Sequence, residues 1–155
     1  MSSSSNLKMD VIDVKILEVL QENSRVSISE LSKKVNLSLS AVSERLKKLE
    51  NSRVINKYTA ILEPKLLGKD LSVVISIGLE STAQLENFMA FVQDEPEILE
   101  CHYITGEYDY LLKVTTTNTQ SLEKIMNRIK SFEGIKRTQT NVILSTTKLR
   151  HSVAP

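Results

Sequence analysis

The first half of the chain follows a helical period. Apolar residues recur at spacings of three and four, which predicts amphipathic helices at about 10–22, 28–35 and 39–51. A favourable N-cap residue precedes each helix: Asp10, Ser27 and Ser38. Glu30 follows Ser27 at capping-box spacing, and Asn36 suits the left-handed C-cap of the second helix. Three short helices with apolar stripes can close one small core, and the last two are spaced as a helix-turn-helix.

From Lys69 onward the period changes to that of strands. Alternating apolar and polar residues predict strands at about 71–79, 98–105, 108–116 and 138–147, with helices at 83–93 and 119–132. Gly106 and Glu107 are predicted to be the tight connection of a hairpin. The order βαββαβ is that of a ferredoxin-like domain, an antiparallel sheet with both helices on one face. The fold class is therefore α+β, with an N-terminal winged-helix-like domain and a C-terminal ferredoxin-like domain.

The predicted domain organisation has four parts. A serine-rich disordered tail at 1–8 precedes the helix-turn-helix domain at 9–54, a linker strand at 55–68 and the βαββαβ domain at 69–150. The linker is predicted to be extended and partly buried, because it carries Ile55, Tyr58 and Leu62. The sheet face without helices is not wholly polar, which favours its packing against the same face of a second copy.

Composition and charge narrow the class of protein. Hydrophobic residues make up 41% and charged residues 25%, as in soluble globular proteins. The sequence contains no run of 18 apolar residues, so no membrane span is predicted. The polar N-terminus lacks the apolar core of a signal peptide. The single cysteine, Cys101, fits a reducing compartment, so a cytoplasmic protein is expected.

The positive charge is concentrated in the first half. Residues 1–68 hold 11 Lys and Arg against 8 Asp and Glu, whereas residues 69–155 hold 9 against 11. An excess of base on the helix-turn-helix half is what phosphate binding requires. The excess is small, so we expect dimers or larger assemblies that combine several such surfaces on DNA.

The outward face of the third helix carries hydroxyl and basic side chains, as in helices that enter the DNA major groove. The predicted contacts are Ser38 and Ser40 at its N-terminus, Ser43, Glu44 and Lys47 at the groove floor, and Arg25, Arg45 and Lys48 at phosphates. The alternative is an ordinary solvated basic face. The helix-turn-helix spacing ahead of this helix favours the DNA-binding interpretation.

Three groups of motifs occur in a specific order. They are Asp-Val-Ile-Asp at 10–13 with Ser-Arg-Val-Ser at 24–27, Glu-Leu-Ser-Lys-Lys-Val-Asn-Leu-Ser at 30–38 with Arg-Leu-Lys-Lys-Leu-Glu at 45–50, and Glu-Cys-His at 100–102 with Gly-Glu-Tyr-Asp-Tyr-Leu-Leu-Lys at 106–113. Together they resemble the Lrp/AsnC, or feast/famine, family of transcription regulators, over about residues 9–148. The leucine-responsive branch is the most similar.

The resemblance implies a regulator that binds double-stranded DNA and responds to an amino acid or related metabolite bound between subunits. It implies homodimers that often associate into octamers, a nucleoid-associated location, and no cofactor. The implied effector-binding residues are Thr105, Gly106, Glu107, Tyr108, Asp109 and Tyr110, with Thr140, Asn141 and Val142 of the last strand. A glycine-containing turn lets backbone N–H groups approach a carboxylate, and Asp109 could meet an α-amino group. The alternative for Asp109 and Tyr110 is ordinary hairpin structure.

This sequence departs from the family at two positions. Leu39 replaces a common proline at the start of the third helix, which should be tolerated. Arg53 replaces the usual glycine after that helix. If this position needs a positive φ, arginine costs on the order of 1 kcal/mol. Otherwise the turn differs and Arg53 adds a phosphate contact.

Two alternatives to an effector-responsive regulator stay open. Siroheme decarboxylases resemble this family, so the fold alone does not exclude catalysis. The sequence holds only two histidines, His102 and His151, and no metal-ligand, phosphate-loop or nucleophile motif, so we expect no enzyme. Cys101 is interpreted as a buried apolar residue. An architectural DNA-binding protein without an effector differs from the main interpretation only at the cleft.

Overall fold

The computed structural model describes residues 8–155, which form two compact units. The first unit consists of the described residues up to Ile61 together with Lys148–Pro155, and the second is Leu62–Thr147. The tail predicted at 1–8 lies, except for Lys8, outside the described residues. No described helix combines the length and the apolar character needed to cross a membrane.

Three helices make up the N-terminal part of the first unit: α1 at Val11–Glu22, α2 at Ile28–Val35 and α3 at Leu39–Asn51. Their caps confirm the sequence prediction. Ser27 and Glu30 form a reciprocal capping box, and Asn36 ends α2 with φ +57° and ψ +48°. These caps satisfy backbone groups that a helix end otherwise leaves unpaired, so they fix where α2 begins and ends.

The core of this unit is formed by one stripe from each helix. Its buried apolar residues are Ile16, Leu17, Val19, Leu31, Val35, Val42 and Leu49. Each buried side chain of this size stabilises the fold by about 1.5–3 kcal/mol. Ile28, which shares a helix face with Leu31 and Val35, is itself 42% exposed. Ile28 is the first residue of α2, where the stripe extends past the edge of the core.

The linker strand predicted at 55–68 is not present. Residues 56–63 have no regular secondary structure, and a 3-10 turn follows at Pro64–Leu67. A strand needs a hydrogen-bonded neighbour, and no described strand of the chain pairs with this segment. Ile61 and Leu62 are more than half exposed. The first unit contains no strand among its described residues.

The second unit has the predicted order βαββαβ. It comprises β1 at Leu71–Leu79, α4 at Leu85–Asp94, β2 at Ile98–Tyr103, β3 at Tyr110–Thr116, α5 at Thr119–Lys130 and β4 at Ile135–Val142. All three strand pairs are antiparallel, in the order β2-β3-β1-β4. β4 ends at Val142 rather than near 147, because Val142 pairs with Val73 close to the start of β1 and little partner strand remains.

One face of the sheet carries the core of the second unit. Buried residues from alternate positions of β1 and β3 pack against α4 and α5: Val73, Ile75, Ile77, Leu112 and Val114 from the strands, and Phe88, Ile125 and Ile129 from the helices. The opposite face, here called the open face, holds the intervening residues: Ser72, Val74, Ser76 and Gly78 of β1, Leu111, Lys113 and Thr115 of β3, Glu100 and His102 of β2, and Arg137, Gln139 and Asn141 of β4.

Candidate functional site

The outward face of α3 carries the polar residues that the sequence analysis proposed as DNA contacts. Ser38 caps the helix, with its Oγ accepting a hydrogen bond from the Ala41 N–H at 3.3 Å. The helical period places residues 40, 43, 44, 47 and 48 on one stripe. Four of these residues are exposed and one, Ser43, is half-buried; the exposed ones are Ser40, Glu44, Lys47 and Lys48. The stripe therefore presents polar side chains together with the positive end of the helix dipole.

Arg25 lies apart from this stripe. It is an exposed residue in the turn between α1 and α2, where its N–H donates to Asn23 Oδ1 at 3.0 Å. Its predicted phosphate contact stays a prediction.

Arg45 has partners that the sequence interpretation missed. Its Nη1 donates to Asp10 Oδ2 at 2.7 Å and to Asp13 Oδ1 at 2.6 Å, and the Asp13 side chain is only 1% exposed. The Asp13 backbone N–H and the Arg45 guanidinium lower the pKa of Asp10, and the hydrogen bonds to the Asp10 and Asp13 carboxylates raise the pKa of Arg45. Arg45 therefore joins the start of α1 to the middle of α3, instead of presenting a free guanidinium to DNA. From the sequence, Asp10 was predicted only as the N-cap of α1, and no partner for Asp13 was predicted.

Lys47 and Lys48 are held less tightly by neighbouring carboxylates than Arg45 is. Lys48 Nζ lies 3.9 Å from Asp13 Oδ2 and its side chain is 49% exposed, so this pairing is loose. Lys47 is exposed and forms no ion pair with any described residue. Both ammonium groups are therefore available to an external partner.

The turn after α3 resolves the question raised by Arg53. Its φ is +59°, so the position does need a positive angle, and arginine stands there in spite of it. The Arg53 N–H donates to Glu50 O at 3.0 Å, and the Ile55 N–H donates to Leu49 O at 3.1 Å. These bonds hold the turn in a conformation that glycine adopts at lower cost.

The connection between β2 and β3, residues 104–109, is longer than the predicted two-residue turn. Its ends are held by a bond from the Ile104 N–H to Asp109 O at 2.8 Å. Asp109 also fastens the loop to β1, because its Oδ2 accepts from the Leu79 N–H at 2.7 Å and its N–H donates to Ile77 O at 2.9 Å. The carboxylate thus has a structural role toward β1 rather than toward its own turn.

A cleft of about 280 Å³ lies beside this loop. It is lined by Leu79, Glu80, Ser81, Thr82, Leu85, Tyr103, Asp109 and Tyr110. Only Asp109 and Tyr110 of these were predicted. The rings of Tyr103 and Tyr110 lie 5.2 Å apart, and Tyr103 is 76% exposed, so an aromatic surface adjoins an acidic one. Such a lining suits a small ligand with both an ammonium group and an apolar side chain.

The predicted residues of the last strand lie away from the loop within one chain. Val142 pairs with Val73, whereas the loop is bonded to Ile77 and Leu79. Four residues of strand separate Val73 from Ile77, or about 13 Å. Thr140 also faces the helices, with its Oγ1 3.5 Å from Met126 Sδ. Within one chain, Val142 therefore lies apart from the loop, and the Thr140 side chain is turned toward the helices.

Two other residues of β4 reach the loop instead. Arg137 Nη1 donates to Glu107 Oε1 at 2.8 Å, and the Tyr108 hydroxyl donates to Gln139 Oε1 at 2.9 Å. Both β4 residues belong to the open face. The strand period placed them on that face, but nothing in the sequence indicated that the loop folds over it.

The residues considered for catalysis have ordinary surroundings. His102 Nε2 lies 3.1 Å from Glu100 Oε2, and Lys113 Nζ donates to Glu100 Oε1 at 3.1 Å. These two neighbours lower the pKa of Glu100. Burial raises the pKa of the half-buried Cys101 thiol, which disfavours a reactive thiolate. Among residues 8–155, no three His, Cys, Asp or Glu side chains are grouped as metal ligands would be.

Two family models match successive parts of the chain. The winged helix-turn-helix DNA-binding model matches residues 9–56, and the Lrp/AsnC ligand binding domain matches residues 72–153. The leucine-responsive regulatory protein of Haemophilus influenzae is 38% identical over 151 residues, covering 96% of this chain and 91% of that protein. The transcriptional regulator FL11 of Pyrococcus furiosus is 36% identical over 140 residues, covering 90% and 92%.

Solved structures match over the same extent. A transcriptional regulator of Neisseria meningitidis in complex with L-methionine has a TM-score of 0.88 and 35% identity, covering 94% of this chain and 96% of the other. AsnC of E. coli has a TM-score of 0.86 and 28% identity, covering 95% and 99%. The similarity therefore includes both units and not only the helix-turn-helix.

Proposed function

Because this chain belongs to the Lrp/AsnC family of transcriptional regulators, we propose that it binds specific double-stranded DNA sites through α3 and that a bound amino acid regulates this binding. The observation that carries the proposal is the exposed polar stripe of α3, a helix capped by Ser38 in the first unit. The second unit contains a cleft large enough for a small ligand. The proposed role is that of a cytoplasmic, nucleoid-associated regulator and not of an enzyme.

The proposed DNA contacts divide by function. Ser43, Glu44 and Lys47 read bases, since lysine pairs with guanine and a carboxylate accepts from cytosine. Ser38 and Ser40 contact phosphates or bases at the helix N-terminus, and Lys48 and Arg25 contact phosphates. We revise the role of Arg45 from phosphate contact to support of α3, because its guanidinium is held by Asp10 and Asp13.

We propose that the acting form is a homodimer, with further association to octamers, assembled through the open face. A first unit with a small excess of base binds DNA weakly at physiological salt, and two such units on a two-fold axis add their contacts. The two-fold symmetry predicts a pseudo-palindromic site with half-sites about one helical turn apart, or a multiple of it. Size measurement by light scattering tests the assembly: a monomer at micromolar concentration would contradict it.

A salt-titrated DNA-binding assay with matched variants tests the role of α3. Lys48→Gln should reduce the slope of log affinity against log salt by about 1, because one phosphate contact is lost. Lys47→Gln should instead change the preferred sequence. Lys124→Gln, the same change on an exposed residue of α5, is the control and should change neither. No affinity for DNA at low salt would overturn the proposal.

We propose that the effector is an amino acid at the cleft beside the 104–109 loop, with its ammonium group at Asp109. Residues 105–110 of one copy and 140–142 of a second copy complete the site. Thermal shift and oligomer size, measured across the twenty standard amino acids, test this part. DNA binding combined with no response to any amino acid would favour an architectural protein without an effector.

A further inference from the structure

The segment that follows α3 is fastened back onto that helix at two points. The Ile55 N–H donates to Leu49 O at 3.1 Å, and the half-buried Ile55 side chain packs against the core of the first unit. Further along the chain, the Tyr58 hydroxyl donates to Glu50 Oε1 at 3.0 Å. The start of the linker therefore follows the C-terminal end of α3 as far as Tyr58.

The Tyr58 hydroxyl is well suited to hold this contact. Burial and the bond to the Glu50 carboxylate raise the pKa of Tyr58 to about 12, so the phenol stays protonated and remains a donor at physiological pH. A hydrogen bond to an ionised acceptor is also stronger than one between neutral groups. Tyr58 is nevertheless 48% exposed, so water can replace the bond at a moderate cost.

The Tyr58 bond is the one hydrogen bond that residues 56–63 form with the part of the chain that the structure describes. All residues of this segment are exposed. The chain is held again from Pro64, because the Lys69 N–H donates to Pro64 O at 2.9 Å just ahead of β1. The free part of the linker is therefore 59–63 while the Tyr58 bond holds, and 56–63 when it opens.

Opening of the Tyr58 bond lengthens the free linker by three residues. At roughly 3.4 Å per residue, the five residues 59–63 span at most about 17 Å and the eight residues 56–63 about 27 Å. The difference of about 10 Å corresponds to about three base pairs, since each base pair adds about 3.4 Å along the DNA axis. A change of this size matters to a protein that reads two half-sites.

The second connection between the units leaves this reach unrestricted. The chain returns to the first unit after β4. It leaves the sheet after the Ile143 N–H donates to Ser72 O at 2.9 Å, and it is bonded to α1 where Gln21 Nε2 donates to Val153 O at 2.6 Å. The intervening segment, 144–152, is longer than the free linker in either state, so the linker after α3 sets the limit.

We propose that Tyr58 is a positioning residue for DNA recognition: by bonding Glu50 it shortens the free linker and restricts the half-site spacings that a dimer can bind. The inference rests on the proposed function, because spacing has meaning only for two copies of α3 on one DNA site. In this role Tyr58 contacts neither base nor phosphate. Its loss should therefore alter the preferred spacing and not the sequence preferred within a half-site.

Binding of the full chain to DNA duplexes of graded spacing tests the inference. Half-sites are first selected by the unmodified chain from a random-sequence library. They are then placed in pairs at the preferred spacing and with one, two or three base pairs added, and a further duplex carries a single half-site. Fluorescence anisotropy measures the affinity for each duplex.

Tyr58→Phe keeps the ring and removes the hydroxyl. At the added spacings its loss of affinity should be about fivefold smaller than that of the unmodified chain, which must break the Tyr58 bond to reach both half-sites. At the preferred spacing it should bind about twofold more weakly, because the longer free linker costs more entropy to close. Its affinity for the single half-site should be unchanged.

Matched variants identify the bond as the cause. Glu50→Ala removes the acceptor and should reproduce the spacing profile of Tyr58→Phe. Glu50→Gln keeps a carbonyl oxygen that accepts from the hydroxyl, so it should retain the narrow preference although the charge is lost. Thr59→Val removes a hydroxyl from the next, exposed linker residue and should match the unmodified chain.

The remaining outcomes separate this inference from the proposed function. A spacing profile that is the same in Tyr58→Phe and the unmodified chain, or an unmodified chain that binds every spacing equally, overturns the inference and leaves the proposed function standing. An equal loss on single and paired half-sites would mean that Tyr58 only supports α3, which overturns the inference as well. Absence of DNA binding by the unmodified chain at low salt overturns both.

Discussion

Replacing Arg45 by methionine should destabilise the helix-turn-helix unit without weakening its contact with phosphates. Arg45 is the partner of a buried carboxylate: Asp13 is 1% exposed and lies 2.6 Å from Arg45 Nη1. Methionine keeps most of the apolar stem but leaves that carboxylate with little compensation. The remaining cation, Lys48, lies 3.9 Å from Asp13 Oδ2.

The expected cost follows from burial and hydrogen bonding. Breaking a fully buried ion pair by removing one partner costs about 3–5 kcal/mol. Arg45 is itself 28% exposed, so in the variant water can partly replace its guanidinium beside Asp13. The expected cost is therefore smaller than for a fully buried pair and is that of leaving one charged group without its hydrogen-bond partner. We expect a loss of about 2 kcal/mol, which corresponds to a roughly 30-fold larger equilibrium constant for opening of the unit.

Amide hydrogen exchange of the full chain measures this loss in place. Peptides covering Leu39–Asn51 should exchange roughly 30-fold faster in Arg45→Met, because their protection comes from closure of this unit. Lys47→Met is the matched control on the same helix and should change exchange little. The salt dependence of DNA binding should stay the same in Arg45→Met. Unchanged exchange together with a reduced salt slope would refute the reasoning and restore Arg45 as a phosphate contact.

Three further predictions concern stability. Arg53→Gly should raise the free energy of unfolding by about 0.5–1 kcal/mol in urea titration, because φ is +59° there; a loss would contradict the assigned strain. Gly134→Ala should cost at least about 2 kcal/mol by the same measurement, since a Cβ would lie 2.6 Å from Ser81 O at a φ of +95°, and an unchanged midpoint would refute this. Helix caps lower the pKa of Asp10 from 3.8 and of Glu30 from 4.5. The unfolded chain then binds more protons at low pH, so helical stability should fall as pH drops below about 4.5; a urea midpoint constant from about pH 5 to 3 would count against it.

Local chemistry made most of the fold predictable. Helix bounds followed from caps such as Ser27 and Asn36, whose side chains or backbone angles act within a few residues. The ends of the strands were predicted less accurately than those of the helices, because a strand ends where its neighbouring strand ends. β4 stops at Val142 where β1 begins, and the segment at 56–63 has strand-like composition but no described strand beside it. Pairing of this kind is a property of the whole fold and not of a short window.

The candidate sites were predictable to the extent that they lie on one element. The stripe at Ser40, Glu44 and Lys47 follows from the helical period alone. The bond from Arg45 to Asp13 joins residues 32 apart, and the bond from Arg137 to Glu107 joins residues 30 apart. Neither pair has a signature in sequence spacing, since only the packed helices and the folded loop bring the charges together.

The most direct test of the account is DNA binding by the full chain, measured with and without amino acids across a salt series. The account predicts linear loss of log affinity with log salt, a preferred pseudo-palindromic sequence, and a shift in affinity or complex size with at least one amino acid. Absence of DNA binding at low salt would contradict its central claim.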